Sequence, residues 1–219
     1  MKTSSSLTCS VLVFLFAAGP ARAGILYDNG PVNGTQQAWN ISSWFVIANS
    51  FTVSRDASAS SVTFGSWRYP GDTLTSVDWA INTDPDPNLF PLYGGTAAVT
   101  STYLSTYVNG AYQYDIYKSS FSLPDVPLQA GITYWLDLTN AQASGGSSGF
   151  WDENSGSSLA HQYTYNNAGT SLVLVRSPNS ESFQILDASV PEPSSGVLLF
   201  LGAGIWLAMR RRIPSAFRR

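Results

Sequence analysis

Few residues in this chain have the types and spacing to do chemistry. Gly145-Gly146-Ser147-Ser148-Gly149 fits the G-x-S-x-G pattern of a nucleophile elbow, and Asp152 and His161 follow it. An elbow needs a strand before the serine and a helix after it, so that a strained turn presents the hydroxyl. The stretch Phe150–Gly156 has no helical pattern and His161 comes only 14 residues after Ser147, so these residues read as a Gly/Ser loop. His161 is the only histidine, which excludes a histidine-rich zinc or copper centre. Glycoside hydrolysis needs two acids facing each other across a sugar. Asp152 and Glu153 are adjacent, so on a strand they point to opposite faces. Asp84, Asp86 and Asn88 place oxygen ligands at alternate positions, as calcium loops do. Pro85 and Pro87 stiffen that loop and the glycine and distal glutamate of an EF-hand are missing, so it reads as solvated turn residues. No catalytic residue, metal or cofactor is expected.

Aromatic side chains offer a different chemistry, because sugar rings stack on exposed aromatic faces. Most aromatics of a strand-rich body belong to its core. Trp151, Tyr163 and Tyr165 lie in or beside polar stretches and are the aromatics best placed to be exposed; a carbohydrate-binding module would require at least two of them in one exposed patch.

The two ends of the chain carry the clearest signals. Lys2, the apolar run Leu7–Gly19 and the A-x-A site Ala21-Arg22-Ala23 make a secretory signal, cleaved ahead of Gly24. Cys9, the only cysteine, leaves with it, so the exported part has no disulfide and no thiol chemistry. At the other end Val190-Pro191-Glu192-Pro193 precedes Gly196–Met209, which holds no charged residue, and then Arg210-Arg211-Arg212. Fourteen helical residues span about 21 Å, short against a hydrocarbon core of about 30 Å. Snorkelling arginines and local thinning make up the difference, and the arginines mark the cytoplasmic side.

This order resembles the PEP-CTERM sorting signal of Gram-negative bacteria, whose carriers are exported and processed by the membrane-embedded transpeptidase exosortase. The resemblance implies that Pro191, Glu192 and Pro193 are the recognition motif, a helix over residues 195–209 the inner-membrane anchor, and Arg210, Arg211 and Arg212 the stop. The tail Ile213–Arg219 is longer than that signal usually has. Asn49–Val53, Val62–Trp67 and Leu128–Leu136 also look like the sandwich domains common among such proteins, most of which have no assigned activity.

These ends delimit an exported body over residues 24–189 and a sorting region over 190–219. The body has four basic against thirteen acidic residues, a formal charge of −9, so nucleic acid is not a partner. It shows no helical period. Short alternating runs near residues 25–28, 44–53, 62–67, 76–82, 97–108, 112–123, 132–139, 150–152, 162–165, 172–176 and 182–187 are separated by Gly, Pro, Asn, Asp and Ser. That pattern predicts an all-β fold, a β-sandwich of jelly-roll type. Val77, Trp79 and Ile81 should face the core, as should Tyr134, Leu136 and Leu138, with Trp135 and Asp137 opposed. The function expected is a non-enzymatic cell-surface or extracellular-matrix protein, anchored by its C-terminal helix until exosortase acts. The alternative is a carbohydrate-binding module for exopolysaccharide.

Overall fold

The computed structural model describes residues 24–35, 37–87, 91–165, 172–177 and 179–188. The expected signal peptide, membrane helix and sorting motif lie outside them, and Ala23–Ala188 is one compact unit. Its strands in chain order are β1 (Ile25–Asp28), β2 (Ala38–Asn40), β3 (Phe45–Thr52), β4 (Ala57–Arg68) and β5 (Leu74–Asn82). Then come β6 (Tyr93–Ala98), β7 (Thr100–Asn109), β8 (Tyr112–Leu128) and β9 (Thr133–Ala143). The last four are β10 (Phe150–Asp152), β11 (Ala160–Tyr165), β12 (Leu172–Arg176) and β13 (Phe183–Asp187).

They form two antiparallel sheets. One runs β1-β13-β4-β10-β2, with β8 along the other side of β4 and β7 beside β8; the second runs β12-β11-β3-β9-β5-β6. The long β4 organises the first sheet. Its Ala59–Phe64 segment pairs with β13 and its Ser66–Trp67 segment with β10, while β8 accompanies it from Ala57 to Arg68. Gly65 sits where β13 gives way to β10. A Cβ there would lie 2.6 Å from Asp152 Cβ and against Ser182 Oγ, so only glycine lets these chains approach.

The sheets face each other across one apolar core. Val77, Trp79 and Ile81 point into it, as do Tyr134, Leu136 and Leu138. Phe121 of the first sheet stacks 6.5 Å from Trp79 of the second, and Phe183 meets Phe51 edge-on at 6.3 Å. Trp135 and Asp137 on the opposite side of β9 are also buried. Val46, Ala48, Trp135 and Tyr163 form a second, smaller apolar cluster there, with Leu172 packed against it.

Three elements depart from the pattern read in the sequence. The run at 97–108 is not one strand: Val99 is a buried corner donating to Thr75 O at 3.0 Å, and the chain passes there from one sheet to the other. The run at 112–123 continues through Pro124 and Asp125, at φ 48°, to Leu128. The short strand β2 had no alternation long enough to announce it.

Candidate functional site

The expected sugar patch does not form where the sequence placed it. Trp151 is 0% exposed, packed edge-on between Phe64 and Phe183, and its Nε1 donates to Ser182 O at 2.9 Å. It is buried because β10 is an inner strand between β4 and β2, so its middle side chain points into the core. Tyr163 is 6% exposed in the second apolar cluster. Only Tyr165 is exposed, at 40%, meeting the exposed Trp44 edge-on at 5.8 Å.

The elbow-like residues are held apart. The Ser147 hydroxyl donates to Asp72, which also accepts from Ser144 Oγ, Gly145 N and Thr73 N. His161 Nδ1 lies 3.1 Å from Tyr163 Oη, and burial holds its pKa below the ordinary imidazole value. Asp152 accepts from Trp67 Nε1 at 2.6 Å, from the amides of Asn33 and Gly34, and from Ser182 Oγ. Burial raises its carboxyl despite these donors. It pins the 30–35 loop over β4, a structural task. Glu153 accepts from Trp39 Nε1 and Asn179 Nδ2, both at 2.7 Å. In the candidate calcium loop Asp86 N donates to Asp84 Oδ1 at 2.9 Å, a turn closed within the segment; Asn88 lies outside the described residues. So do Pro191, Glu192, Pro193 and Arg210, Arg211, Arg212.

A different set of aromatics comes together on the outer face of the first sheet. Residues two apart on a strand share a face, as do residues opposite each other in register. Tyr107 lies opposite Tyr114, and Asn109 opposite Tyr112. Trp67 pairs with Phe150, and Tyr69 follows two residues later. The rings of Trp67 and Tyr107 are 4.9 Å apart, those of Tyr69 and Tyr114 5.2 Å, and those of Tyr114 and Phe150 5.9 Å. Trp67, Tyr107, Tyr114 and Phe150 line a cleft of about 180 Å³ together with Gln37, Ala38 and Asn109. Among the described residues no charged side chain lines it. Trp67 is buried and fixed through Nε1 by Asp152, and the exposed Tyr69 packs on Tyr114 beside the cleft. Burial, then Tyr69, raises the Tyr114 phenol. The spacings Trp67/Tyr69, Tyr107/Asn109 and Tyr112/Tyr114 were visible in the sequence, but the pairing that unites them was not.

Comparison with known proteins bears on the C-terminal region. The family described as the PEP-CTERM protein-sorting motif matches residues 189–212. No curated protein and no solved structure matches the chain. The matched segment begins two residues after β13 ends. The motif implies export, membrane or surface association, and processing by exosortase. Behind a body of two antiparallel β-sheets, this chain carries a PEP-CTERM protein-sorting motif.

Proposed function

We propose that the exported body is a non-enzymatic protein of the cell surface or extracellular matrix, a jelly-roll-like sandwich. In this reading the N-terminal signal is removed ahead of Gly24, and residues 195–209 hold the body at the inner membrane until exosortase acts at Pro191-Glu192-Pro193. The observation that carries it is the motif match over 189–212, directly behind the all-β body. The separate engagement of Ser147, Asp152 and His161 supports a non-enzymatic role. The test is the intact mass of the mature protein in a host with exosortase and in one without. Loss of the C-terminal segment only in the first is expected; the same mass in both rejects processing.

A second reading, binding of exopolysaccharide, is favoured by the cleft of Trp67, Tyr107, Tyr114 and Phe150 rather than by Trp151, Tyr163 and Tyr165. Its rings offer stacking faces, and Gln37 and Asn109 offer amides for hydroxyls. Tyr114→Ala should abolish retention on the host's own polysaccharide while Tyr165→Ala leaves it unchanged. Equal retention of both variants removes this reading.

A further inference from the structure

The outer face of the first sheet holds a second cleft beyond the aromatic one. Lys118, Ile116 and Tyr114 alternate along β8 and so share this face, with Lys118 opposite Gly65 and Ile116 opposite Trp67. The chain after β1 crosses the face between Lys118 and Tyr114. Gly30–Val32 line a cavity of about 270 Å³ with Thr63, Leu104, Lys118 and Gln184. Gly34 then lies over Ile116, where a Cβ would come within 3.2 Å, and Gln37 and Ala38 line the aromatic cleft. Asp152 holds the crossing in place through the Asn33 and Gly34 amides. The two hollows therefore flank one fixed ridge, and four residues of strand set Lys118 and Tyr114 about 13 Å apart.

The chemistry of the second hollow differs from that of the first. Leu104 is the extra residue of a bulge in β7, between Tyr103 opposite Tyr117 and Ser105 opposite Ile116, and it lines this hollow. Lys118 is the only charged residue lining either hollow among the described residues. It is exposed and makes no ion pair among them, although acids outnumber bases in the body by thirteen to four. The other cations are placed elsewhere: Arg55 is held by Asp187, Arg68 is buried, and Arg176 belongs to β12 of the second sheet. An ammonium left without an acid in such a surplus of acids marks the one hollow of this face that attracts an anion.

We propose that the two hollows are neighbouring subsites for an acidic polysaccharide. Lys118 pairs with a carboxylate or sulfate ester on one sugar while the aromatic cleft takes a ring farther along the same chain. This rests on the polysaccharide-binding reading above and adds the charge of the ligand to it. A small anion would reach Lys118 and leave the aromatic cleft unused, whereas a polymer lying over the ridge engages both. Stacking supplies most of the affinity, and one exposed ion pair adds a few-fold to it. The net charge of −9 repels a polyanion over the rest of the body and so confines binding to this face.

The test is affinity electrophoresis of the full chain in non-ionic detergent, through gels holding the host's own polysaccharide in native, carboxyl-reduced or desulfated form. One of the two treatments should weaken wild-type binding about three- to fivefold, and which one does so names the acid group. Lys118→Gln should bind the native polymer more weakly by the same factor and respond to neither treatment. Since Lys118 is exposed, this variant should keep the wild-type unfolding midpoint. Salt at about 0.5 M should erase its difference from the wild type. Tyr114→Ala should lose retention on every form. If wild type and Lys118→Gln bind all three forms equally while Tyr114→Ala binds none, the acidic ligand is overturned and the polysaccharide reading stands. If the wild type binds no form, both are overturned.

Discussion

Replacing Arg68 by methionine should stabilise this protein. Arg68 ends β4 with its side chain directed between the sheets; it is 0% exposed, and none of its three guanidinium nitrogens has a hydrogen-bond partner among the described residues. Gly149 lies against it so closely that a Cβ there would sit 2.8 Å from Nη2. The nearest compensating charge is Asp72, which is committed to the Ser144–Ser147 loop and makes no ion pair with Arg68. Burial, opposed by Asp72 and Tyr117, lowers the guanidinium to about 10. That fall corresponds to about 3 kcal/mol against the charged form, with the attraction of Asp72 already included. Methionine keeps the apolar stem and removes the charge, while Asp72 keeps its loop donors. Allowing about 1 kcal/mol for imperfect packing, the expected gain is about 1–3 kcal/mol, in the range measured when buried charges give way to apolar residues. Urea unfolding followed by tryptophan fluorescence would read this as a higher midpoint at unchanged slope. A loss of more than about 1 kcal/mol, the sign expected when a satisfied buried charge is removed, would refute the reasoning and show that Arg68 is paired.

Three more outcomes follow from buried groups. Glu181 is fully buried, neither carboxylate oxygen has a hydrogen-bond partner among the described residues, and burial raises its pKa well above the ordinary value. Its folded form holds a proton that the unfolded chain releases, so stability should fall as pH rises through the ordinary glutamate value toward the folded one. Glu181→Gln should flatten that fall in midpoints measured from pH 4 to 8, and an unchanged slope contradicts the assignment. Gly65→Ala should cost about 2 kcal/mol or more through overpacking against Asp152 and Ser182; a loss under about 0.5 kcal/mol in urea would show that β10 shifts freely. Trp151→Ala should cost about 3–5 kcal/mol, whereas Tyr165→Ala should stay within about 1 kcal/mol, and thermal unfolding that ranks them the other way contradicts the burial described.

The inner faces were legible in the sequence because alternation encodes them directly. Val77, Trp79 and Ile81 on β5, and Tyr134, Leu136 and Leu138 on β9, needed no knowledge of their partners. What alternation cannot encode is what lies on the far side of a strand. Asp137 read only as opposed to the core-facing residues of β9, and nothing in the alternation says that it is buried there too. Trp151 read as exposed because its sequence neighbours are polar, yet β4 and β2 flank it. The aromatic cleft is invisible for the same reason: Trp67, Tyr107, Tyr114 and Phe150 come from four strands, and only the register unites them. Val99 escaped because a corner between sheets costs a strand pattern nothing, the residues on both sides remaining extended.

The ends of the body are clasped together. β1 pairs with β13, Asp187 N donates to Gly24 O at 2.9 Å, and the Asp187 carboxylate accepts from Gly24 N and from Arg55 Nη2, each at 2.5 Å. If the proposed leader is removed ahead of Gly24, that amide donor becomes an ammonium group facing the Asp187 carboxylate. β13 is also an inner strand, flanked by β1 and β4. Separating β13 from the body therefore means breaking two hydrogen-bond ladders at once, where an edge strand would give up only one.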